Sequence, residues 1–188
     1  MTPHAIHYHV FETAAGFAAV GWGAAGIMSV RLPAPTFAQA ERAVLRRLPE
    51  SIPAEPPSAV AEVVDAACRY FRGERIDFAS VPLDIGAQEP FFARVYDVVR
   101  KLGWGETMTY GAVAKALGEG PEAARAVGQA MASNPVPLII PCHRVTAAGG
   151  RIGGFSAPGG SVSKARMLEL EGAAPPPAPE AAQIGFGF

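Results

Sequence analysis

Apolar positions change their period several times along the chain, and each change marks a new element. His7, His9 and Phe11 share one parity, Gly16-Phe-Ala-Ala-Val-Gly21 turns and returns, and Gly26-Ile-Met-Ser-Val-Arg-Leu32 alternates again. This period of two predicts a β-hairpin over residues 5–31, extended by a further short strand. Pro33-Ala-Pro35 should break that strand, and Thr36 can cap a helix over Phe37–Leu48. Four prolines between residues 49 and 58 read as a loop. Val60, Val63, Val64, Ala67, Cys68 and Phe71 then recur at helical spacing, which predicts a helix near Ala59–Arg72 closed by Gly73. After an extended Asp77–Ile85, Pro90 stands at a helix start whose apolar face is Phe91, Val95, Val98, Val99 and Leu102.

Beyond that point the chain reads as short helices. Thr109 can cap Tyr110–Leu117, Gly118 closes it, Glu119-Gly120 makes the turn, and Pro121 opens a helix reaching about Ala132. Helix, glycine turn, helix is the pattern of a helix-turn-helix, although many helical pairs share it. The apolar run Val136–Ile140 reads as a strand leading into Pro141-Cys-His-Arg-Val145, and Ser163–Leu170 forms the last helix after the glycine-rich Gly149–Gly160. Residues 173–188 begin Ala-Ala-Pro-Pro-Pro-Ala-Pro and read as a flexible tail.

Composition narrows the function classes. With 188 residues, 49% of them hydrophobic, the chain can bury a core in one domain or two small ones, and general disorder is excluded. A net charge of −1 does not announce a nucleic-acid binder. The average conceals a division: residues 1–90 hold seven Arg and ten acids, residues 91–172 nine Lys/Arg and six acids. The positive half is also the helical half. Two cysteines, no long apolar stretch and a polar Met1–His9 predict a reduced, soluble, cytoplasmic protein without a membrane segment.

One short stretch carries chemistry. A thiol attacks only as thiolate, and Cys142 has an imidazole and a guanidinium within two residues. In a regular strand His143 would point away from Cys142, so a bend after Pro141 or a bridging water is needed. Cys68, on an apolar helix face, reads instead as a packing residue. On a helical wheel Ala124, Val127 and Met131 form a core side and Ala123, Ala126 and Ala130 a smooth small side, while Arg125 sits on neither. An arginine in the first turns of a helix opposes the macrodipole, as does Glu171 at the end of the last one. Both therefore call for another task.

Arg125-Ala-Val-Gly-Gln-Ala-Met-Ala-Ser-Asn134-Pro, Ile140-Pro-Cys-His-Arg-Val145, Gly153-Gly-Phe-Ser156, Lys164 and Leu170-Glu-Gly172 together resemble the O6-alkylguanine-DNA alkyltransferases, the methylated-DNA–protein-cysteine methyltransferases. The resemblance runs from about Pro90 to Gly172 and weakly into the first half. It implies an α/β protein: a small RNase-H-like domain over residues 1–85 and a helical, winged helix-turn-helix-like domain over 86–172, followed by the tail at 173–188. It implies direct reversal of damage without a cofactor or a metal. A monomer associated with the nucleoid flips O6-alkylguanine from duplex DNA through the minor groove and takes the alkyl group once, irreversibly, onto Cys142.

The implied roles follow residue by residue. Arg125 fills the gap left by the flipped nucleotide, and Ala123, Ala126 and Ala130 approach the groove. Tyr110 donates to N3 of the base and Ser156 binds O6. The carbonyls of Cys142 and Val145 receive the exocyclic amine, and Met131 and Pro137 line the pocket. Glu171 orients His143, which takes the thiol proton, and Asn134 is the hinge between the recognition helix and the cysteine strand. Two departures stand out. Phe155–Gly160 is longer than the family's usual loop, with Ala157-Pro158 where Gly-Gly is common; Trp104 and Tyr96 also replace usual residues.

Two other functions fit parts of the chain. A non-catalytic alkyltransferase-like damage binder would lack the acceptor cysteine. A cysteine hydrolase would leave Arg125 unexplained and needs an oxyanion hole. His4, His7 and His9 read as strand-edge residues and not as metal ligands. Gln183-Ile-Gly-Phe186-Gly-Phe188 resembles the peptides that dock into bacterial sliding clamps, a further expected partner.

Overall fold

The computed structural model describes residues 5–173. Strands β1 (His7–Thr13), β2 (Gly16–Gly23) and β3 (Gly26–Ala34) form an antiparallel meander. A two-residue strand, β4 (Ile52–Pro53), runs parallel to β1 and completes the order β3-β2-β1-β4. Two expectations are corrected here. β3 continues through Pro33, because an edge strand can leave the side lacking an N–H unpaired. The proline-rich segment is not wholly loop: the amides of Ile52 and Ala54 donate to Ile6 and Tyr8, and Pro53 falls between them where no donor is needed.

Helix α1 (Phe37–Arg47) covers one face of this sheet, with Thr36 Oγ1 accepting from the Gln39 amide at 3.3 Å as its cap. Tyr8, Ala19 and Val44 pack together on that side. Helix α2 (Ser58–Tyr70) lies on the other side, where Phe11, Ala18, Val20 and Trp22 point. Covered on both faces, β2 is buried from Ala18 to Trp22. β1 is interior to the sheet, so His7 is no edge residue: it stacks on Trp22 with ring centroids 5.8 Å apart.

The second half comprises α3 (Pro90–Val99), β5 (Met108–Thr109), α4 (Tyr110–Ala116), a 3-10 turn at Pro121–Ala123, α5 (Ala124–Ser133), a 3-10 turn at Cys142–Arg144, β6 (Val145–Thr146) and α6 (Gly160–Leu170). α4 and α5 form the expected helix-turn-helix, and β5 pairs in parallel with β6. The architecture is thus the expected α/β fold with an RNase-H-like first half and a winged helical second half. In packing terms the halves are continuous. One cluster of buried side chains runs from Phe11 and Trp22 through Tyr70, Val95 and Val127 to Ile139 and Met167. The Val30 amide also donates to the Pro135 carbonyl, joining β3 to the segment before Cys142.

No helix among the described residues is long and apolar enough to cross a membrane. His4 and the Gln183–Phe188 peptide lie outside the described residues.

Gly26 ties the meander to the crossing segment. Its φ is 151°, and an added Cβ would lie 2.7 Å from the Pro82 carbonyl oxygen. That same carbonyl accepts from the Ile27 amide, and Asp84 N donates back to Ile27 O. Gly26→Ala should therefore destabilise the protein by about 1–3 kcal/mol in urea unfolding. Unchanged stability would show that the 82–84 segment yields freely.

Candidate active site

Asn134 shapes the approach to the cysteine. As the C-cap of α5 it donates from Nδ2 to the Ile140 carbonyl at 2.8 Å and accepts the Val136 amide on Oδ1 at 3.0 Å. These bonds close residues 134–140 into a compact loop and replace the expected strand. Leu138 is held there at φ 81°, a left-handed conformation unusual for a non-glycine residue. The chain then enters the 3-10 turn Cys142–Arg144, in which successive side chains fan out by about 120° and do not alternate. Cys142 faces a cavity, while His143 and Arg144 are buried.

Glu171, the C-cap of α6, is where the buried polar groups converge. Its Oε1 accepts from Tyr70 Oη at 2.7 Å, His143 Nε2 at 2.8 Å and Arg144 Nη2 at 2.9 Å. Its Oε2 accepts from Arg144 Nε at 2.8 Å and the Gly105 amide at 3.1 Å. Burial opposes ionisation of this carboxyl, but the hydrogen bonds and charge of His143 and Arg144, with Tyr70, hold it well below the usual carboxylate range. The imidazole responds oppositely: burial pushes its pKa down, although Glu171 pulls it up. The ring is thus neutral, with Nε2–H given to Glu171. Its Nδ1 is buried without a partner among the described residues and is free to accept a proton.

Sequence proximity suggested that Arg144 would assist the thiol. The structure corrects this: the guanidinium turns to Glu171 and the Leu102 carbonyl. Burial raises the Cys142 pKa, and the groups that lower it are Asn134, the Lys164 ammonium and the backbone amides of Cys142 and His143. Lys164 is fully buried and donates to the carbonyls of Val145 and Gly154 and to Tyr110 Oη. Burial lowers its own pKa to about 8, against the pull of Cys142.

Cys142 lies on the floor of a cavity of about 640 Å³ bounded by Tyr110, Arg125, Gly128, Met131 and Ser156. Five sequence-predicted residues therefore meet around the thiol: Tyr110, Arg125, Met131, Ser156 and, through its turn, His143. Arg125 is exposed at the rim, with Ala126 half-buried on the same helix and Ala123 half-buried in the 3-10 turn before it. Ser156 Oγ donates to the Ala132 carbonyl at 3.2 Å, and Pro137 borders a second opening onto Cys142. Two placements on the wheel are reversed. Ala130 is fully buried beneath Tyr96, whose hydroxyl bonds its carbonyl at 3.0 Å, so it presents no surface to a groove. Ala124, assigned to the core, lines the cavity instead.

Tyr70 and Arg31 went unread in the sequence, and Lys164 carried no role. Tyr70 sits on α2 in the first half, and only its need for a buried hydroxyl partner could have pointed to it. Among the described residues no group of three or more His, Cys, Asp or Glu is placed to hold a metal.

The depressed Glu171 carboxyl contributes stability above its unfolded value of about 4.3, and this is lost as pH falls through that value toward the folded one. Glu171→Gln should cost about 3 kcal/mol at pH 7, by stranding Arg144, and the gap from wild type should narrow below about pH 4 in thermal melts. A gap independent of pH would remove the carboxylate from this role.

The profile described as "6-O-methylguanine DNA methyltransferase, DNA binding domain" matches residues 90–173. A methylated-DNA–protein-cysteine methyltransferase of Metallosphaera sedula is 48% identical over 103 residues, which cover 55% of this chain and 62% of that protein, less than two thirds of its length. A DNA base-flipping protein of Thermus thermophilus is 40% identical over 133 residues, 69% of this chain and 87% of the relative. The crystal structure of a Mycobacterium tuberculosis OGT in complex with DNA superposes with a TM-score of 0.71 at 32% identity, covering 91% of this chain and 96% of that one. The resemblance carried by the Pro141–Val145 motif thus extends over both halves of the fold, and the chain belongs to the O6-methylguanine-DNA methyltransferase family.

Proposed function

We propose that this protein repairs DNA by direct reversal: it extrudes O6-alkylguanine from the duplex and takes the alkyl group onto Cys142. The observation that carries this reading is a buried thiol at the floor of a cavity, with a helix-turn-helix arginine at the rim and a neutral His143 bound to the Glu171 carboxylate behind it. A thiol so placed is out of reach of a stacked base, so the substrate must leave the helix. The exposed Arg125, flanked by Ala123 and Ala126, suits insertion through the minor groove, where readout is degenerate and a repair protein needs no sequence preference. The protein acts as a monomer, since one chain holds every group the reaction requires.

The chemistry follows from the arrangement. The thiol proton passes to Nδ1 of His143 through a bridging water, and the resulting imidazolium is stabilised by Glu171. The thiolate then attacks the alkyl carbon; the S–C bond forms as the C–O6 bond breaks, and that electron pair stays on guanine. Tyr110 donates a proton to N3, and the Lys164 ammonium 3.3 Å from its hydroxyl supports the charge change. Ser156 holds O6, and the carbonyls of Cys142 and Val145 select the exocyclic amine. A thioether is not cleaved by ordinary side chains, so each molecule turns over once. Cys142 also separates this reading from a non-catalytic damage binder.

Cys142→Ser should abolish transfer while retaining lesion binding, and Cys68→Ser should keep full activity; intact-protein mass after incubation with O6-methylguanine DNA reports both. An adduct that survives in Cys142→Ser ends the assignment. Arg125→Ala should slow repair of duplex DNA at least about tenfold, since unstacking costs a few kcal/mol, and leave transfer from a free base analogue nearly unchanged. Tyr110→Phe should slow both substrates. Equal losses on both substrates for Arg125→Ala would make that residue structural.

A further inference from the structure

Arg166, Met167 and Leu170 share one face of α6, and that face borders a recess of about 130 Å³. Its other walls come from the first half of the chain: Leu32 and Pro33 of β3, and Phe71 at the end of α2. Leu32 and Met167 are buried, whereas Pro33, Phe71 and Leu170 are only half-buried. An apolar cavity of about 150 Å³ takes a benzene-sized ring. The recess therefore has room for one phenyl group and little more.

We propose that Ile184–Phe188, which lies outside the described residues, docks here and seats one phenylalanine ring in the recess. Two phenylalanines and an isoleucine spaced by glycines gain from leaving water. The chain starts close enough to deliver them. The Ala173 amide donates to the Leu168 carbonyl at 2.8 Å, so the backbone leaves against the last turn of α6, where Leu170 forms a wall of the recess. A polyproline stretch the length of Pro175–Pro179 measures about 15 Å. The residues from Glu180 to Phe186 can span about 23 Å, enough to return. Charge agrees as well. Glu180 is the only charged side chain from residue 174 to 188, and the charged wall of the recess is an arginine. Arg166 is exposed and pairs with no carboxylate among the described residues. Its stem and guanidinium can also cover the face of a seated ring.

Tethering selects the occupant. A segment attached this near is present at an effective concentration of about millimolar. A second copy of the chain competes only when its free concentration is as high. The Gln183–Phe188 pattern offers the same side chains to a sliding clamp, but the recess is on its own chain. A seated ring touches β3, α2 and α6 together, so it braces the two halves beside Glu171, the residue that follows Leu170.

The test is nuclear magnetic resonance of the full chain with isotope-labelled methionine methyls, the Met167 signal being assigned with Met167→Leu. In wild type the Met167 methyl should show an Overhauser contact to an aromatic ring that is lost in the F186A/F188A double variant. Its resonance should be displaced between the two proteins, while those of Met28, Met108 and Met131 stay in place. Both effects should be independent of protein concentration. A Met167 signal unchanged in F186A/F188A would leave the segment undocked. A contact that fades on dilution would give the recess to a second copy, and equal displacement of all the methionines would report a global change. Any of these three results overturns the inference.

Discussion

The buried carboxylate of Glu171 is the constraint on which the site depends. Five donors from four residues in three other parts of the chain meet on its two oxygens: α2, the loop before β5, and two successive residues of the cysteine turn. A charge taken so far from water is tolerable only when its acceptor sites are filled. Each donor is therefore fixed in place, and fixing His143 and Arg144 fixes the direction in which Cys142 must face. The unfavourable position at the end of α6 is offset by the Arg144 fork.

The thiol itself is left in a different condition. Its neighbours are a cation, an amide side chain and backbone amides, none strong enough to cancel desolvation, so it rests protonated until a substrate and a base act together. On the proposed reading, this protects an irreversible nucleophile from stray electrophiles. Lys164 touches both sides of the proposed reaction, through its charge on the sulfur and its contact with Tyr110.

Periodicity made most of the fold legible, because strand alternation, helix caps at Thr36 and Thr109 and glycine stops are all local signals. The failures were non-local. Pro33 and Pro53 sit in strands because of where those strands lie in the sheet, which no local rule shows. Ala130 and Ala124 exchanged places since the wheel shows which residues share a side, and not which side meets the core. Cys142, His143, Tyr110 and Glu171 were legible through motif and resemblance. Tyr70 and Arg31 were not, since a tyrosine on an apolar helix and an arginine on a strand acquire meaning only when the two halves close together.

That closure bears on how portable the second half is. Residues 90–173 look in sequence like a cassette that could be lifted onto another scaffold. Physically the cassette has a missing wall. Without α2, Glu171 and His143 lose the Tyr70 hydroxyl and the ring that packs against them. Without β3, the Pro135 carbonyl loses both the Val30 amide and Arg31. The loop that holds Leu138 in its left-handed conformation would then be free to relax. An engineer transplanting this chemistry would have to carry the sheet along, or rebuild from another chain the donors that it supplies.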